Sequence, residues 1–510
     1  MYSAEVHNMK KILGFIFLLL FVSSVAGTYP APYQFAGPVT PPISMPELQS
    51  INISRDFVFP EPKFVELELD PNAFQLENIS EDDIIETENE PVAGTDVLIE
   101  NDSEIFTPAA DELVESSEDI QYSADVIVYQ QGQNIIAETA DGKELATAPI
   151  SSDVSGLFKI AVDAVPDGGS LHIGSGKYSV SAPYEFALNP DGTNIFYNAI
   201  QVLDKDMHIS GDGVDETIIQ LLPGQRSPAR HVAMVLIRGT RGFDPGYDEF
   251  SVADLTLDGN RGSQTDGQPH DGEGLILVGS ERTDGYYYNL HLENSWGSGI
   301  YLGNNGAGNS GTNETVSHVV ARNCGAEGII LDTCHHSRVI DCEGWQCREG
   351  VVLYGNDDWK SRTPDDVSAS RFKTDSQVTV WQVNDFKLSE IDMDCTNTIG
   401  SYGLMIRDGT GTVENSVLVS SKDRADSTGG ATYIIEGSDV KIIDSRLEGY
   451  FGVHAIGRAK VEVTNCRIDA PGGCFCTTDP APVQSTIIVK NCTCSGLRAA
   501  MQTGAMLIEG

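Results

Sequence analysis

A short pattern of glycine, an apolar residue, any residue and a second apolar residue recurs through the second half of the chain. It constrains the fold more than any other feature of the sequence. Alternation turns the two apolar side chains to one face of a β-strand and the residue between them to the other face. Each copy therefore predicts one strand of a repeating unit. The copies are GLIL (274–277), GIYL (299–302), GIIL (328–331), GVVL (350–353), GLMI (403–406) and GVHA (452–455).

A second pattern places Asn or Asp directly before a small Ser or Cys. Successive copies lie about 25 residues apart on average, and three short strands with their turns need about that length for one coil of a parallel β-helix. Equivalent residues of stacked coils would then lie about 4.8 Å apart. The copies are Asn294-Ser295, Asn323-Cys324, Asp341-Cys342, Asp394-Cys395, Asn415-Ser416, Asp444-Ser445, Asn465-Cys466 and Asn491-Cys492, and Ala369-Ser370 fits the same slot.

The segment before these repeats resembles the opening of a known fold. It reads IAVDAVPDGGSLHIGSGKYSV (160–180), followed by AIQVLDKDMHISGDGVDETIIQLL (199–222). With the two repeats, it resembles right-handed parallel β-helix proteins of the pectate-lyase-like superfamily over roughly residues 122–510. The resemblance implies an all-β solenoid. That superfamily holds polysaccharide lyases, glycoside hydrolases, uronate epimerases, phage tailspikes and proteins without known catalysis, so the activity stays open.

Four regions are predicted along the chain. Residues 1–27 read as a secretory signal peptide, because two lysines precede the apolar run ILGFIFLLLFV and small residues follow it. Residues 28–121 read as a Pro-rich and then acidic disordered spacer. From residue 56 to residue 125 there are 22 acidic residues against one lysine. Residues 122–198 are predicted to form a β-hairpin and a short helix that lead into the solenoid, and residues 199–510 its parallel coils.

The net charge and the predicted signal peptide restrict the possible partners and the cellular location of the protein. The formal net charge of −43 argues against a nucleic-acid partner, because phosphates would be repelled. No later segment is long and apolar enough to span a membrane, so a secreted or cell-surface protein is expected. Four sequons could carry glycans, at Asn52, Asn78, Asn101 and Asn313, whereas Asn491 is expected to lie inside a packed coil.

The ten cysteines are interpreted mainly through the repeat. Five of them alternate with serine in the small slot after Asn or Asp, which indicates a buried ladder, since free cysteine behaves as a small hydrophobe. Cys474 and Cys476 are predicted to face the core from GCFC. A disulfide between stacked coils stays open, because the coil spacing lies within the Cα range of a disulfide. Cys334, Cys347 and Cys494 are not assigned.

The loops indicate where a ligand would lie. Long insertions at 258–274, 303–315 and 355–366 surround the short turn DTCHHS (332–337). We expect the short turn to form the base of a groove and the long loops to form its sides. If successive coils stack, the residues directly after the strands align in one ridge. They are Gly303, Asp332, Tyr354, Trp381 and Arg407.

An acid, two aromatic residues and an arginine on one ridge suit a sugar ligand, because sugar rings stack on aromatic side chains and charged groups bind hydroxyls or carboxylates. The predicted catalytic residues are Asp332 with Asp357 and Asp358 as the carboxyls of a glycosidase, and His335 or His336 as the general base of a lyase. The predicted substrate-binding residues are Tyr354, Trp381, Arg407, Trp359 and Lys360.

The catalytic motifs of the resembled superfamily do not carry over. The Asn-Thr-Asp, Gly-His-Gly and Arg-Ile-Lys set of polygalacturonases is missing from the sequence. RSPAR (226–230) is one residue short of a pectate-lyase arginine motif. QPHDGEG (268–274) resembles the Asp-Pro-His-Asp/Glu stretch of alginate epimerases, with Gln268 in place of the leading Asp. These departures leave catalysis unproven.

No metal is predicted at the cluster of Cys334, His335, His336 and Cys342. A structural zinc site needs paired ligands from two places, and two neighbouring histidines diverge if their segment is extended. No other cofactor is predicted, although the acidic loops could hold Ca²⁺ through carboxylate and carbonyl oxygens.

Two functions from different classes remain. The first is an exported β-helix protein that binds, and as a lyase or glycoside hydrolase would degrade, polysaccharide or cell-wall glycan. The alternative is a non-catalytic structural or adhesive cell-envelope protein. The sequence stops at MQTGAMLIEG (501–510), which the repeat places within a coil, and an open coil end exposes unpaired backbone. Either another chain covers that edge, which would give self-association through the C-terminal coil, or the sequence is truncated there.

Overall fold

The structure is a computed structural model that describes residues 124–187, 195–227, 231–238, 249–265, 274–280, 284–303, 313–355, 364–396, 402–422, 430–479, 484–496, 499–503 and 505–509. The predicted signal peptide and the acidic spacer lie outside the described residues, as do the sequons at Asn52, Asn78 and Asn101. Among the described residues, no helix is long and apolar enough to cross a membrane.

The described residues begin with three antiparallel strands, β1 (Val126–Gln131), β2 (Asn134–Thr139) and β3 (Glu144–Pro149). Gly132 turns the first hairpin with a φ of 66°, a conformation that glycine adopts without steric cost. The predicted hairpin is therefore confirmed and gains a third strand. β1 also pairs in parallel with Gly169–Ile173, which joins the hairpin to the solenoid.

The predicted short helix, α1 (Ser155–Ala164), packs against this end of the solenoid. Leu157, Phe158, Ala161 and Val162 are buried, and their spacing of three or four residues forms one apolar stripe. The stripe contacts β1 to β3 and the first long strand of the solenoid. The helix thus covers apolar residues that the first coils would otherwise expose to water.

Thirteen strands of the described residues stack in one sheet, here called sheet 1, which carries the Gly-apolar-x-apolar repeat. Its first two strands are antiparallel and the others pair in parallel. Ile300 and Leu302 are fully buried, whereas Tyr301 between them is only partly covered. The strands are Tyr184–Ala187, Ile195–Leu203, His231–Arg238, Gly274–Ser280, Ile300–Gly303, Glu327–Asp332, Glu349–Tyr354, Gln377–Trp381, Leu404–Arg407, Gly430–Ile435, Phe451–Ile456, Gly473–Thr478 and Ala499–Thr503.

The other sheet, sheet 2, bends and supplies the two remaining faces of each coil. Three strands continue around the bend: Phe250–Asp258, Gly285–Glu293 and Thr315–Arg322. Strands on the first face are Gly169–Ile173, Met207–Gly211, Arg338–Ile340, Ser368–Ser370, Phe386–Ser389, Thr410–Glu414, Asp439–Ile443, Lys460–Thr464, Thr486–Lys490 and Ala505–Glu509. Strands on the second face are Gly176–Val180, Thr217–Leu221, Glu343–Trp345, Lys373–Thr374, Asp392–Asp394, Val417–Val419, Arg446–Glu448, Arg467–Ala470 and Thr493–Gly496.

Sheets 1 and 2 together form a right-handed parallel β-helix. This confirms the predicted all-β fold and its short N-terminal helix. The inside is filled by rows of aliphatic side chains from equivalent positions of successive coils. One such row runs through Leu302, Leu331, Leu353, Val380, Ile406, Ile434 and Ala455. Because each coil buries its apolar row against its neighbours, stability accumulates from coil to coil.

The bend in sheet 2 is made by a single residue in the left-handed conformation. In the continuous strands it is Asp254, Asn289 or His318. Asn and Asp adopt this conformation at lower cost than most residues, because their short polar side chains bond locally. The equivalent residues of later coils are Asp341, Arg371, Glu390, Asn415, Asp444, Asn465 and Asn491, with φ between 49° and 56°. The bend is the physical reason for the Asn/Asp pattern.

The single slot predicted for all copies of this pattern is wrong, because the pattern serves two different corners. Asn294, Asn323 and Gln346 are left-handed at a second corner, between sheet 2 and sheet 1. At the first corner, Ser370 pairs with Ile340, so the residue beside Cys342 is Phe372 and not Ser370. In these copies a left-handed residue is followed by one that turns inward at either corner, so the sequence alone does not separate the corners, and Asp394-Cys395 matches the pattern without a left-handed residue.

Two further predictions fail for related reasons. Gly473 pairs with Phe451, which places Phe475 beside Val453 in the core and Cys476 on the outer face. A shift of one residue exchanges the faces of a strand, so Cys476 is buried but does not face inward. Asn491 is exposed rather than packed, because its left-handed corner conformation turns only the following residue inward.

We expect Phe372→Ala to lower the free energy of unfolding by about 3–5 kcal/mol, the usual cost of deleting a buried phenyl ring. Phe372 is fully buried, and its ring occupies the space above Gly344 and Gly350. Urea unfolding measures the loss. The control is Cys342→Ser, which puts a residue found elsewhere at this corner into the neighbouring coil and should cost less than about 1 kcal/mol. Equal costs for both variants would contradict the assignment.

Candidate functional site

Four side chains lie on adjacent strands where the strands of sheet 1 end. Asp332 pairs with Gly303 on one side and Tyr354 on the other, Tyr354 pairs with Trp381, and Trp381 pairs with Arg407. The stacking order predicted from the sequence is confirmed, including the position of Trp381. We call Asp332, Tyr354, Trp381 and Arg407 the ridge. Its members are about 4.8 Å apart from strand to strand.

Asp332 is the most enclosed member of the ridge, with 7% of its surface exposed. The Tyr301 hydroxyl of the preceding coil donates a hydrogen bond to Oδ2, and Thr333 Oγ1 lies 3.4 Å from Oδ1. Burial raises the pKa of Asp332 to about 7, although both hydrogen bonds act in the opposite direction. Burial and the charge of Asp332 also raise the pKa of Tyr301. Asp332 can therefore hold or release a proton near neutral pH.

The aromatic part of the ridge has edge-to-face and cation–π contacts. The rings of Tyr354 and Trp381 are 5.4 Å apart at 82°, and the Arg407 guanidinium lies 4.3 Å from the centre of the Trp381 ring. Arg407 also donates to Glu436. Trp381 Nε1 is buried and has no hydrogen-bond partner among the described residues. An indole donor without a partner is costly unless a ligand or water accepts from it.

The two histidines lie just beyond Asp332, on the turn that leaves sheet 1. His335 Nδ1 is 2.6 Å from Asp365 Oδ1, and His336 Nδ1 is 3.0 Å from Asp366 Oδ2. Both acids belong to the turn of the next coil. His335 is the more enclosed of the two rings. These partners orient the imidazoles, but neither histidine shares a hydrogen bond with Asp332 in the described part of the chain.

The other predicted site residues lie outside the described residues. They are Asp357, Asp358, Trp359 and Lys360, all within 356–363. The pairing of Asp332 with a second carboxyl from that loop stays a prediction. The same holds for Ca²⁺ binding by the acidic loops. Among the described residues there is no group of three His, Cys, Asp or Glu side chains placed to hold a metal ion.

Sequence reasoning missed a charged cluster where two strands of sheet 1 begin. Glu327 and Glu349 are paired neighbours. Glu327 is buried, accepts from Ser298 Oγ at 2.6 Å and is bound by Arg348. Arg348 Nε also lies 3.7 Å from Glu349 Oε1. Burial and then the Glu327 charge raise the pKa of Glu349 to about 7. Glutamate directly before the motif glycine, in EGII and EGVV, is the signal that could have revealed this cluster.

The ridge and the glutamate cluster lie at opposite ends of the same strands. Glu327 and Asp332 are separated by five residues, which spans roughly 16 Å in a β-strand. The two carboxyls of a glycosidase are about 5–9.5 Å apart, so these two do not form such a pair. Between them, the outward positions are held by Ile330, Val352 and Thr379. The strand Glu327–Asp332 thus has a carboxyl at each end and an apolar residue between them on its outer face.

No protein-family model matches the chain, and no curated protein matches it. Solved structures match through their fold. The A-module of the Azotobacter vinelandii mannuronan C-5 epimerase AlgE4 is 15% identical, with a TM-score of 0.50, over 70% of this chain and 96% of that one. The Agl-KA catalytic domain is 12% identical, with a TM-score of 0.54, over 70% of this chain and 66% of that one.

A third match is the catalytic domain of a GH87 α-1,3-glucanase solved with tetrasaccharides. It is 12% identical, with a TM-score of 0.50, over 70% of this chain and 65% of that one. With the coils and their pairing, these matches identify the chain as a right-handed parallel β-helix protein. At such low identity the likeness extends to the fold alone.

Proposed function

We propose that this protein binds polysaccharide along the ridge and that Asp332 transfers a proton to or from the bound glycan. The observation that carries the proposal is the alignment of Asp332, Tyr354, Trp381 and Arg407 on four adjacent strands. Aromatic faces and an arginine suit sugar rings and their polar groups. The carboxyl of Asp332, buried and bonded by Tyr301, suits general acid or base catalysis.

Two further observations support a glycan as the ligand. Similar structures include a mannuronan epimerase module and a glucanase domain crystallised with tetrasaccharides. In addition, the buried Trp381 Nε1 can donate to a sugar hydroxyl. Because the leader has the composition of a secretory signal, we propose that the protein is exported and meets its glycan outside the cytoplasm. The reaction would be a lyase or glycoside hydrolase reaction.

The experiment that tests this function is a screen of purified protein against neutral and uronate-containing polysaccharides. Affinity electrophoresis would report binding, and new reducing ends or unsaturated products would report cleavage. A glycan that retards the protein in the gel, or that the protein cleaves, supports the proposal. The absence of both, together with end-to-end assembly in the absence of glycan, would favour the structural or adhesive alternative.

We expect Trp381→Ala to weaken glycan affinity at least tenfold, equivalent to about 1.4 kcal/mol or more. The substitution removes the indole ring, which contacts the Arg407 guanidinium and the Tyr354 ring. Calorimetry with the best glycan of the screen measures the change. The matched control is Tyr286→Ala on sheet 2, since Tyr286 is exposed and stacks on Tyr288. If Tyr286→Ala abolished binding and Trp381→Ala did not, the ligand would bind to sheet 2.

A further inference from the structure

Cysteines from successive coils lie side by side at both corners of the solenoid. At the first corner, Thr464 pairs with Lys490, so Cys466 and Cys492, two residues further on, are direct neighbours. The backbone N–H of Cys466 donates to Cys492 Sγ at 3.4 Å. Cα atoms of adjacent parallel strands are about 4.8 Å apart, which lies within the range of about 4.4–6.8 Å that a disulfide bridges.

The second corner holds a similar pair. Arg322 pairs with Trp345, and Cys324 and Cys347 follow each of these residues by two positions. A hydrogen bond from one thiol to the other, together with burial, raises the pKa of Cys324. Both side chains are buried, with 2% and 7% exposed. Each cysteine also lies near a backbone carbonyl of its own coil, which holds both sulfurs toward the inside of the corner.

Two other buried cysteines have no cysteine beside them in the next coil, whereas Cys474 lies near the Cys494 thiol. Cys342 lies between Val319 and Phe372, as the pairing of Val339 with Val316 and Ala369 requires. Cys476 pairs with His454. These two thiols are buried, like three of the four thiols of the pairs, so burial alone does not distinguish the two groups. The distinction is the identity of the neighbour in the next coil.

We propose that Cys466 with Cys492, and Cys324 with Cys347, form disulfides that link successive coils when a small-molecule disulfide such as oxidised glutathione is present. Each link closes across one coil and fixes its two neighbouring corners to each other. An equivalent pair of positions in this chain holds two serines, which cannot form a disulfide. Ser416 N donates to Ser445 Oγ at 3.1 Å, at the same corner and with the same geometry as Cys466 and Cys492.

The exchange balances in two steps. The thiolate of Cys492, the more exposed of its pair, attacks the small disulfide, forms a mixed disulfide and releases one small thiolate. The Cys466 thiol then loses its proton and attacks Cys492 Sγ, which releases the second small thiolate. Two protein thiols are oxidised and one small disulfide is reduced to two thiols. The hydrogen bond from Cys466 lowers the pKa of Cys492 to about 6, which supports Cys492 as the attacking group.

The test uses the full chain, incubated with reduced and oxidised glutathione, alkylated, and digested with trypsin without reduction. Cleavage after Lys and Arg places Cys466 alone in residues 461–467, and Cys492 with Cys494 in residues 491–498. Residues 323–338 hold Cys324 and Cys334, and residues 339–348 hold Cys342 and Cys347. We expect 461–467 linked to 491–498, and 323–338 linked to 339–348.

Matched serine variants identify the sulfurs. The first link should persist in Cys494→Ser and disappear in Cys492→Ser. The second should persist in Cys342→Ser and disappear in Cys347→Ser. Buried serines occupy the first corner at Ser416 and Ser445 and the second corner at Ser295, so these variants are expected to fold, and circular dichroism checks this. The oxidised protein should also melt at a higher temperature than the reduced one, and reductant should reverse the shift.

Two results would overturn the proposal. One is full alkylation of all four cysteines in the oxidised protein after denaturation. The other is a link that survives in Cys492→Ser or in Cys347→Ser. The test involves no glycan and no cellular compartment, so its result is independent of the proposed binding function.

Discussion

Asp332→Asn should lower the turnover of the glycan substrate by about 10²–10⁴-fold, the usual contribution of a general acid or base, and should change glycan affinity much less. Asparagine keeps the shape of the side chain and can still accept a hydrogen bond from Tyr301. It cannot take up or release a proton. The KM should therefore stay close to that of the wild type, and the loss should fall on kcat.

The pH profile distinguishes this role from a structural one. Because burial raises the pKa of Asp332 to about 7, one limb of the wild-type rate profile should bend near pH 7, and the residual activity of the variant should lack that limb. The matched control is Asp392→Asn, an exposed aspartate on sheet 2, which should leave turnover unchanged. A normal kcat in Asp332→Asn would remove Asp332 from the mechanism, and an equal loss in Asp392→Asn would make the effect nonspecific.

The same substitution should stabilise the fold at alkaline pH, by up to about 4 kcal/mol at pH 8. The ordinary pKa of Asp332 is 3.8, and its folded value is about 7. Between these values the unfolded chain ionises and the folded chain stays protonated, so the folded state binds more protons and stability falls as pH rises. A difference of roughly three units, at about 1.4 kcal/mol each, sets the upper limit.

Urea unfolding at pH 4 and at pH 8 measures this effect. At pH 4 the carboxyl is largely neutral in both states, and the two proteins should unfold at similar urea concentrations. At pH 8 the asparagine variant should be the more stable one. The pKa of Glu349 is also raised to about 7, so both proteins lose stability over the same pH range. Only the difference in stability between the wild type and the variant therefore measures the effect of Asp332. A difference that does not change with pH would contradict the raised pKa.

Together, these two predictions describe a carboxyl that is kept at a cost to stability. A buried acid that the chemistry requires lowers the free energy of unfolding. Replacing the acid should therefore raise the stability of the fold and remove the activity. Residues that only pack show the opposite behaviour. Phe372 contributes stability through burial and should not affect the pH profile.

Much of the fold could be predicted because residues that repeat along the sequence occupy equivalent positions in successive coils. In a parallel solenoid every coil pairs with the next in register, so the positions of Asp332, Tyr354, Trp381 and Arg407 after their strands were enough to align them. The corners could not be told apart, because Asn323-Cys324 and Asp341-Cys342 satisfy the same local requirement. Phe372 escaped notice because it stands where the pattern calls for a small residue.

The sequence by itself determined the coil, the ridge and the order of the residues along it, since these depend on period and alternation. Only the tertiary structure decided what surrounds each side chain. The pKa of Asp332 depends on burial and on Tyr301 from the preceding coil. His335 and His336 face Asp365 and Asp366 from the next coil, and Glu327 meets Arg348 across the strand pairing. Electrostatic environment and thiol pairing arise between coils, and residues that are distant along the chain supply them.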